Sequence, residues 1–280
     1  MREYRYRKHI RWGQYVLPVV FAFGAIVPWL VVLAFGLRAD ASGAQVVYVL
    51  VVVVTIVSVV IGAPVWWLYW RLAGIAIRVQ PDAFVYRNRG GEKRLAYDRI
   101  GPLHFPAAPY LGGWVALRAG DETVRLTVVV EGIGTLLREL KAALDARGLS
   151  ASYDRGRLYA FMKTAEYADQ SWERIYEVFW KLVLATLGGV LVGVLFALLV
   201  HARGGPMLLW ILVSALWPVL VYSAAEVVFG RRVAKRSDEA SFSCPPRDPP
   251  WERAVYRKAI LWGAGLYLLA CVGAWAAWSR

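Results

Sequence analysis

Five stretches of the chain are almost free of charged residues and long enough to cross a membrane as helices. They occupy residues 16–37, 46–70, 182–200, 207–228 and 259–278. At a rise of about 1.5 Å per residue, about 20 apolar residues cover the hydrocarbon core of a bilayer. A cleaved signal peptide is the alternative for the first stretch, but that stretch is longer than the apolar part of a signal peptide and a second one follows at once. The pattern predicts five transmembrane helices.

Between the second and third stretches the pattern becomes that of a water-soluble domain. Ile75, Ile77 and Val79 alternate with small or polar residues, which is the period of a half-buried strand. Further short strands are predicted at residues 83–87, 93–97, 100–105, 114–118 and 124–130. After Gly132 the period changes to that of a helix. Its apolar face holds Leu136, Leu137, Leu140, Ala143 and Leu144. Residues 74–147 are therefore predicted to form a small β-barrel-like domain closed by one amphipathic helix.

This segment resembles a bacterial pleckstrin-homology-like domain. The resemblance is carried by the alternation at residues 75–79, by residues 81–86, by residues 95–100 and by the terminal Leu-rich helix. In that family an aromatic, an acidic residue and an isoleucine often stand where Tyr97, Asp98 and Ile100 stand here, and a pair of membrane helices often precedes the domain. The resemblance implies a β-barrel with a C-terminal helix, a preference for protein or lipid partners, and no catalytic residue.

The rest of the chain divides around these elements. Residues 150–180 have the periodicity of an amphipathic helix or helix pair, lying on the membrane or packing on the soluble domain. Residues 237–250 are rich in proline and are predicted to be extended and without a core. The predicted parts are 1–72 (basic N-terminus and spans one and two), 73–149 (soluble α+β domain), 150–180 (amphipathic segment), 181–230 (spans three and four), 231–256 (basic, Pro-rich linker) and 257–280 (span five).

Composition and charge agree with a membrane protein and suggest its orientation. Of the 280 residues 59% are hydrophobic, the mean hydropathy is +0.45 and the net charge is +13. A soluble domain is about 45–50% apolar. The basic residues lie beside the spans, which favours a membrane surface over nucleic acid as their partner. If the N-terminus is cytoplasmic, the outer segments hold only Arg38, Arg203 and Arg280. The asymmetry predicts that the N-terminus and the soluble domain lie inside and the C-terminus outside. Together with the resemblance to a bacterial domain, it leads us to expect a protein of the bacterial inner membrane.

Two basic groups are candidates for binding anionic lipid or an acidic partner. One surrounds the predicted hairpin turn at residues 88–91, and the other follows the fourth span. Their members are Arg87, Arg89, Lys93 and Arg94, and Arg231, Arg232, Lys235 and Arg236. Each base near an anionic membrane surface contributes about 1 kcal/mol. A solvated turn is the alternative for the hairpin group.

A short repeat precedes the first and the last span. Residues 6–13 and 256–263 match at six of eight positions, including Tyr-Arg-Lys and Trp-Gly. The pattern is typical of an interfacial anchor, with bases at the phosphates and tryptophan at the lipid carbonyls; a duplicated docking motif is the alternative. The predicted anchors are Tyr6, Arg7, Lys8, Trp12, Trp66, Trp67, Trp70, Tyr256, Arg257, Lys258 and Trp262.

One carboxylate, Glu226, falls near the end of a predicted span. The favoured interpretation is that it pairs with a following arginine, Arg231 or Arg232, or faces the interface. A proton or substrate site is the alternative, because ionisable residues within spans are often functional.

Other chemistry is not indicated. No two of His9, His104 and His201 have the spacing of metal ligands. Cys244 lies in the linker and Cys271 in a span, which disfavours a disulfide. The sequence contains no nucleophile-elbow, phosphate-loop or zinc-protease motif. No catalytic residue, metal or cofactor is predicted.

These patterns predict a non-enzymatic integral membrane protein. Its soluble domain would bind a protein partner or anionic lipid, as a subunit or scaffold of a cell-envelope complex. The alternatives are a membrane enzyme of lipid or polymer metabolism, or a transporter component, using Glu226 and the basic residues 231–236.

Overall fold

The computed structural model describes residues 2–35, 41–105, 113–201 and 207–278. It divides into two compact units, Met1–Phe161 and Met162–Arg280. Arg38, Arg203 and Arg280, on which the predicted orientation depends, lie outside the described residues.

Helices dominate both units. They are α1 (Lys8–Phe35), α2 (Ala41–Ala73), α3 (Ile133–Asp145), α4 (Arg155–His201), α5 (Met207–Arg236) and α6 (Pro249–Trp278). All except α3 are long and apolar enough to cross a membrane, which confirms five helices of the predicted length and composition. The amphipathic segment and the third span, predicted as separate parts, are one continuous helix, α4. No proline interrupts this stretch, so nothing in its backbone ends the helix.

In the part of the chain that the structure describes, six short strands form two antiparallel sheets. They are β1 (Glu3–Arg5), β2 (Ala76–Val79), β3 (Ala83–Asn88), β4 (Gly91–Ala96), β5 (Trp114–Ala119) and β6 (Glu122–Thr127). The first sheet has the order β1-β2-β3-β4, and β5 and β6 form a hairpin. The predicted strand at 100–105 is absent from the described structure: a 3-10 turn occupies Tyr97–Arg99, and isolated bridges join Ile100 to Ala119 and His104 to Ala116. The described strands do not close into the predicted barrel.

The first strand comes from the basic N-terminus, where the sequence predicted no strand. β1 pairs with β2, so that Glu3 faces Arg78 and forms an ion pair with it. On its other side, the amide of Glu131 donates to the carbonyl of Arg5 (2.8 Å), and Tyr6 bridges Val130. The N-terminal segment thus joins the two sheets. We call β1–β6 and α3 the module.

The core of the module lies between the strands and α3. Gly132, with a φ of 71°, turns the chain into the helix, in a conformation that favours glycine. The predicted apolar face of α3 is the buried one, and Leu136, Leu137, Leu140 and Leu144 are at most 1% exposed. This burial supplies the module with a conventional apolar core.

The second unit consists of most of α4 with α5 and α6. A Cβ on Gly189 or Gly193 would overlap Ser214 of α5, so these glycines allow α4 and α5 to pack closely. Between α5 and α6, the indole of Trp217 donates to the carbonyl of Gly263 (2.9 Å). Such contacts are typical of helices that associate within lipid.

The predicted Pro-rich linker is not extended. α5 continues through Arg236 and α6 begins at Pro249, so residues 231–236 and 249–256 are helical. The residues between them fold back in a small turn, in which Asp238 bridges Ser243 and Phe242 is buried. The structure corrects the prediction that this segment is extended. That prediction rested on proline content, which gives no information about the turn at residues 238–243 or about the ion pairs described below.

Candidate functional site

The tip of the β3–β4 hairpin lies against the ends of α1 and α2. Arg89 stacks on Trp70, with its guanidinium carbon 4.4 Å from the ring centroid. It also donates to the carbonyl of Trp70 (2.9 Å) and to the side-chain oxygen of Gln14 (2.8 Å). The indole of Trp66 donates to the carbonyl of Gln14 (3.0 Å). One arginine therefore ties the hairpin to both helices.

The other predicted basic residues of this hairpin have different surroundings. Arg87 is exposed and lies opposite Glu92 in the ladder, and Lys93 is half-buried. Arg94 is farther from the tip and pairs with Asp82 in an exposed ion pair. The structure thus brings three of the four predicted basic residues to the tip and assigns the fourth a local partner.

Short connectors join the module to the first two helices. Only Tyr6 and Arg7 separate β1 from α1, and only Gly74 and Ile75 separate α2 from β2. Arg7 is 3% exposed, and its guanidinium donates to the carbonyl of Val128 (3.1 Å). The connectors and this buried contact leave the module little freedom relative to α1 and α2.

The second basic group lies at the end of α5. Arg231, Lys235 and Arg236 are exposed. Arg232 instead stacks over Trp251, 4.1 Å from the ring centroid, and pairs with Asp248 at 3.0 Å. Three of these four residues are therefore exposed and accessible to a ligand.

The two copies of the repeat differ in what their tyrosines and arginines contact. Tyr6 and Arg7 are buried in the module, which corrects their assignment as interfacial anchors. Tyr256 is half-buried and donates to Glu226 (3.1 Å), whereas Arg257 is exposed. The exposed members of the predicted anchor set are Lys8, Trp12, Trp66, Trp67, Trp70, Arg257, Lys258 and Trp262.

The glycine and tryptophan of the repeat behave alike in both copies. A Cβ on Gly13 would overlap a side chain of α2, and one on Gly263 would overlap a side chain of α5. Trp12 and Trp262 are 69% and 75% exposed. Each copy thus packs its glycine against a neighbouring helix and turns its tryptophan outward.

A buried arginine joins the three helices of the second unit. Arg174 of α4 is 1% exposed. Its guanidinium makes two bonds to Glu226 of α5, at 2.9 and 2.8 Å, and one to Glu252 of α6, at 3.1 Å. The guanidinium carbon lies 4.4 Å from the ring centroid of Phe229. Bidentate pairing of this kind fixes geometry as well as charge.

Hydroxyl groups complete the surroundings of Glu226. Tyr167 (3.1 Å) and Ser171 (3.0 Å) donate to one carboxylate oxygen, and Tyr256 donates to the other. A carboxylate has about four acceptor sites, and these donors together with Arg174 fill them. Glu226 is paired with an arginine of α4, not with one of those that follow it in α5.

Sequence reasoning missed Arg174, although a pattern marked it. Tyr167, Ser171 and Arg174 have the spacing i, i+4, i+7 and so form a polar stripe on α4. The prediction for this helix rested on its apolar face and did not use the polar stripe. The spacing alone does not indicate that Glu226 of α5 and Glu252 of α6 bind Arg174.

The turn between α5 and α6 closes over this cluster. We call residues 237–248 the strap. Arg247 of the strap pairs with Glu252 (2.7 Å), Glu177 (2.9 Å) and Glu173 (3.3 Å). The hydrogen bond to Glu177 is the main reason that the pKa of Arg247 lies above its usual value. Gln170 donates to the carbonyl of Pro245 (2.8 Å).

The cleft beneath the strap is small. It is bordered by Gln170, Arg174, Phe229, Arg232 and Trp251 and encloses about 10 Å³, room for about one water molecule. In the observed state it has no space for an organic substrate. Its arginines and carboxylates neutralise each other, so the arrangement is that of a packed polar cluster.

Neither a metal site nor a related protein identifies the function of these clusters. In the part of the chain that the structure describes, no three His, Cys, Asp or Glu side chains are grouped to hold a metal ion. Comparison with protein-family models, with curated proteins and with solved structures finds no match to this chain.

Proposed function

We propose that the chain is a non-enzymatic integral protein of a bacterial inner membrane whose module is a binding platform at the membrane surface. The ligand is the anionic headgroup, and the module holds a protein partner of a cell-envelope complex there. The orientation with module inside and C-terminus outside rests on the asymmetry of basic residues along the sequence. Reporter fusions after Arg147 and Pro246 should give cytoplasmic signals, and a periplasmic signal at either site contradicts this orientation.

The observation that carries the proposal is the docking of the β3–β4 tip on the aromatic end of α2. Trp66, Trp67 and Trp70 are exposed at this end, as in the aromatic belts found at membrane interfaces. Arg89 stacks on the last of them, so the tip lies at the level of these rings. We therefore expect the basic residues of the tip to lie next to the headgroups.

The short connectors support a platform. A module on long linkers would explore many orientations, whereas two-residue connectors hold this one in a fixed pose. A fixed pose lowers the entropy lost when a partner binds at the membrane surface. The resemblance to pleckstrin-homology-like domains points to the same classes of ligand and remains a prediction.

The hydrogen bonds of Glu226 support a binding function rather than an enzymatic one. A proton or substrate site needs a carboxylate with a free acceptor position, and both oxygens of Glu226 are fully used by Arg174, Tyr167, Ser171 and Tyr256. This supports the assignment of Glu226 to helix packing rather than to the enzyme or transporter alternatives.

The test is retention of phosphatidylglycerol by the full chain. The protein is purified in detergent with equal amounts of phosphatidylcholine and phosphatidylglycerol, and bound lipid is counted by native mass spectrometry. Arg87→Glu and Lys93→Glu together reverse two charges, which removes on the order of 2 kcal/mol of attraction and should lower phosphatidylglycerol retention by about thirtyfold. The effect should shrink in high salt.

Arg99→Glu is the matched control. Arg99 is exposed and follows the opposite end of β4, about 20 Å from the tip at about 3.3 Å per residue. It should retain lipid like the parent. Equal loss in both variants would mean net charge alone matters, and no loss in either would remove the headgroup as ligand. Stoichiometric co-purification with a protein whose binding survives the tip reversal would instead assign the platform to a protein partner alone.

A further inference from the structure

Polar contacts supply most of what attaches the strap to its unit. Arg247 binds three carboxylates, and Gln170 binds the carbonyl of Pro245. Within the strap only the side chain of Phe242 is buried. Contacts of this kind are weakened by salt where they reach solvent, and two of the partners, Glu173 and Glu177, have side chains 62% and 63% exposed.

Release of the strap would leave no buried charge alone. Glu252 keeps its bond to Arg174 at 3.1 Å, and Arg174 keeps both bonds to Glu226. Arg247 and the exposed carboxylates would pass into water. Glu226 and Glu252 would then share one arginine, so opening costs free energy, but neither carboxylate is left without a partner, which limits that cost.

The strap contains one residue in a disfavoured backbone conformation. Among the residues that the structure describes, Phe242 is the only one other than glycine with a positive φ, 51°. A bulky side chain is disfavoured there, and residues held in such conformations cluster at clamps and switch regions. In the closed state, burial of the Phe242 ring opposes this strain.

The end residues of the strap belong to the helix caps. The amide of Ser237 donates to the carbonyl of Val233 (3.1 Å) at the end of α5, and the carboxylate of Asp248 accepts from the amide of Trp251 (3.2 Å) at the start of α6. Between them, Asp238 accepts from the amides of Ala240 and Ser241. Residues 238–247 can therefore move while Ser237 and Asp248 stay in place as caps.

We propose that the strap is a salt-sensitive latch over the Arg174 cleft. It is closed while Arg247 is bound by Glu173, Glu177 and Glu252, and it opens when these pairs are broken, while α4, α5 and α6 stay together. Opening admits solvent and small solutes to a cleft that otherwise has room for about one water molecule. This inference does not depend on the proposed binding function of the module.

The thiol of Cys244 reports the state of the strap. It is half-buried, 3.4 Å from the hydroxyl of Ser237. The full chain with Cys271→Ser is placed in nanodiscs, and the alkylation rate of Cys244 by a charged maleimide is measured, normalised to a free thiol at each salt concentration. Arg247→Ala should speed labelling by about tenfold, because charge-assisted hydrogen bonds are the stronger class. Raising NaCl to 0.5 M should speed the parent by about threefold.

Two further variants keep the test decisive. Arg257→Ala removes an exposed arginine of α6 and should label like the parent. Glu173→Gln with Glu177→Gln removes only exposed carboxylates, so it answers the question even if Arg247→Ala misfolds, as judged by circular dichroism; it should label severalfold faster than the parent. Equal rates in this double variant, in the parent and at high salt overturn the latch, as does a parent that labels as fast as detergent-denatured protein.

Discussion

In the module the fully buried side chains are mainly apolar, whereas in the α4–α6 unit the largest one is Arg174. Both regions are compact, but their surroundings differ. Water drives the module to bury Leu136, Leu140 and their neighbours. Lipid tails are already apolar, so the helices gain little by hiding leucine from them. In this unit, close packing at Gly189 and Gly193 and the paired cluster at Arg174 add to a small apolar cluster of Ala197, Trp210 and Ala274.

The two regions also differ in whether their buried contacts contribute mainly stability or mainly specificity. Apolar packing tolerates substitutions of similar volume. A buried ion pair contributes little net stability, yet removing one partner is costly. We infer that the Arg174 cluster selects one register of α4, α5 and α6 because only that register pairs every charge. The predictions below test the two modes of construction separately.

The largest effect is expected from a charge in the module core. Leu140→Asp places an unpaired carboxylate where the parent side chain is 1% exposed. It should destabilise the module by more than about 4 kcal/mol. Hydrogen exchange of the full chain should then show lost protection in β1–β6 but unchanged protection in α5 and α6. Arg138→Asp, at an exposed position of α3, is the control; retained protection in Leu140→Asp would mean that α3 does not form the core.

The next effect is expected from removal of the buried arginine. Arg174→Met leaves Glu226 and Glu252 without their shared partner and should cost about 3–5 kcal/mol. Thermal unfolding in detergent measures this. Adding Glu226→Gln and Glu252→Gln to Arg174→Met should restore more than half of the loss, since no charge is then unpaired. If the triple variant is as unstable as the single one, the cluster acts through shape and not through charge.

A smaller effect is expected from two adjacent glycines of α4. A Cβ at Gly189 would overlap the carbonyl of Ser214, while one at Gly188 meets nothing within 4 Å. Gly189→Ala should therefore lower stability by about 1–3 kcal/mol through overpacking. Gly188→Ala should raise it by up to about 1 kcal/mol, because alanine is the better helix former. The midpoint of thermal unfolding is measured for both variants. Equal changes in the midpoint would contradict the close approach of α4 and α5.

Elements with a long, strong period could be predicted from sequence. The five spans and the buried face of α3 each rest on many residues that agree. β1 could not be predicted, because three residues carry no periodicity and their partner strand lies beyond two helices. The conformation of the strap was not predicted for a related reason. It depends on the ion pairs of Arg247 with three carboxylates, two of them on another helix, and proline content does not predict such long-range contacts.

The candidate site shows the same limit. The sequence singled out Glu226 because it lies near the end of a span. It pointed to Arg231 and Arg232 as partners because they are close in sequence. The partner is Arg174, on another helix, since helix packing and not chain proximity decides which charges meet. Burial of Tyr6 and Arg7 in the module has the same cause, because β1 draws them into the sheet.

The smallest effect tests whether β1 is a stable part of the module. Hydrogen bonds from Arg78 and Arg5 hold the pKa of Glu3 below its usual value. A depressed pKa means that the ion pair contributes stability above the unfolded pKa and loses it as pH falls through the folded pKa. The contribution should be at most about 1 kcal/mol, because the pair is partly exposed.

The measurement is the difference in unfolding free energy between the parent and Glu3→Gln, from pH 7 down to pH 3. The parent should be more stable at pH 7, and the difference should vanish as Glu3 is protonated. Glu122→Gln, which changes a carboxylate at the start of β6, serves as the matched control and should show no such convergence. A constant difference between parent and Glu3→Gln across this range would mean that the carboxylate is unpaired, and that β1 is held in the sheet by its backbone bonds alone.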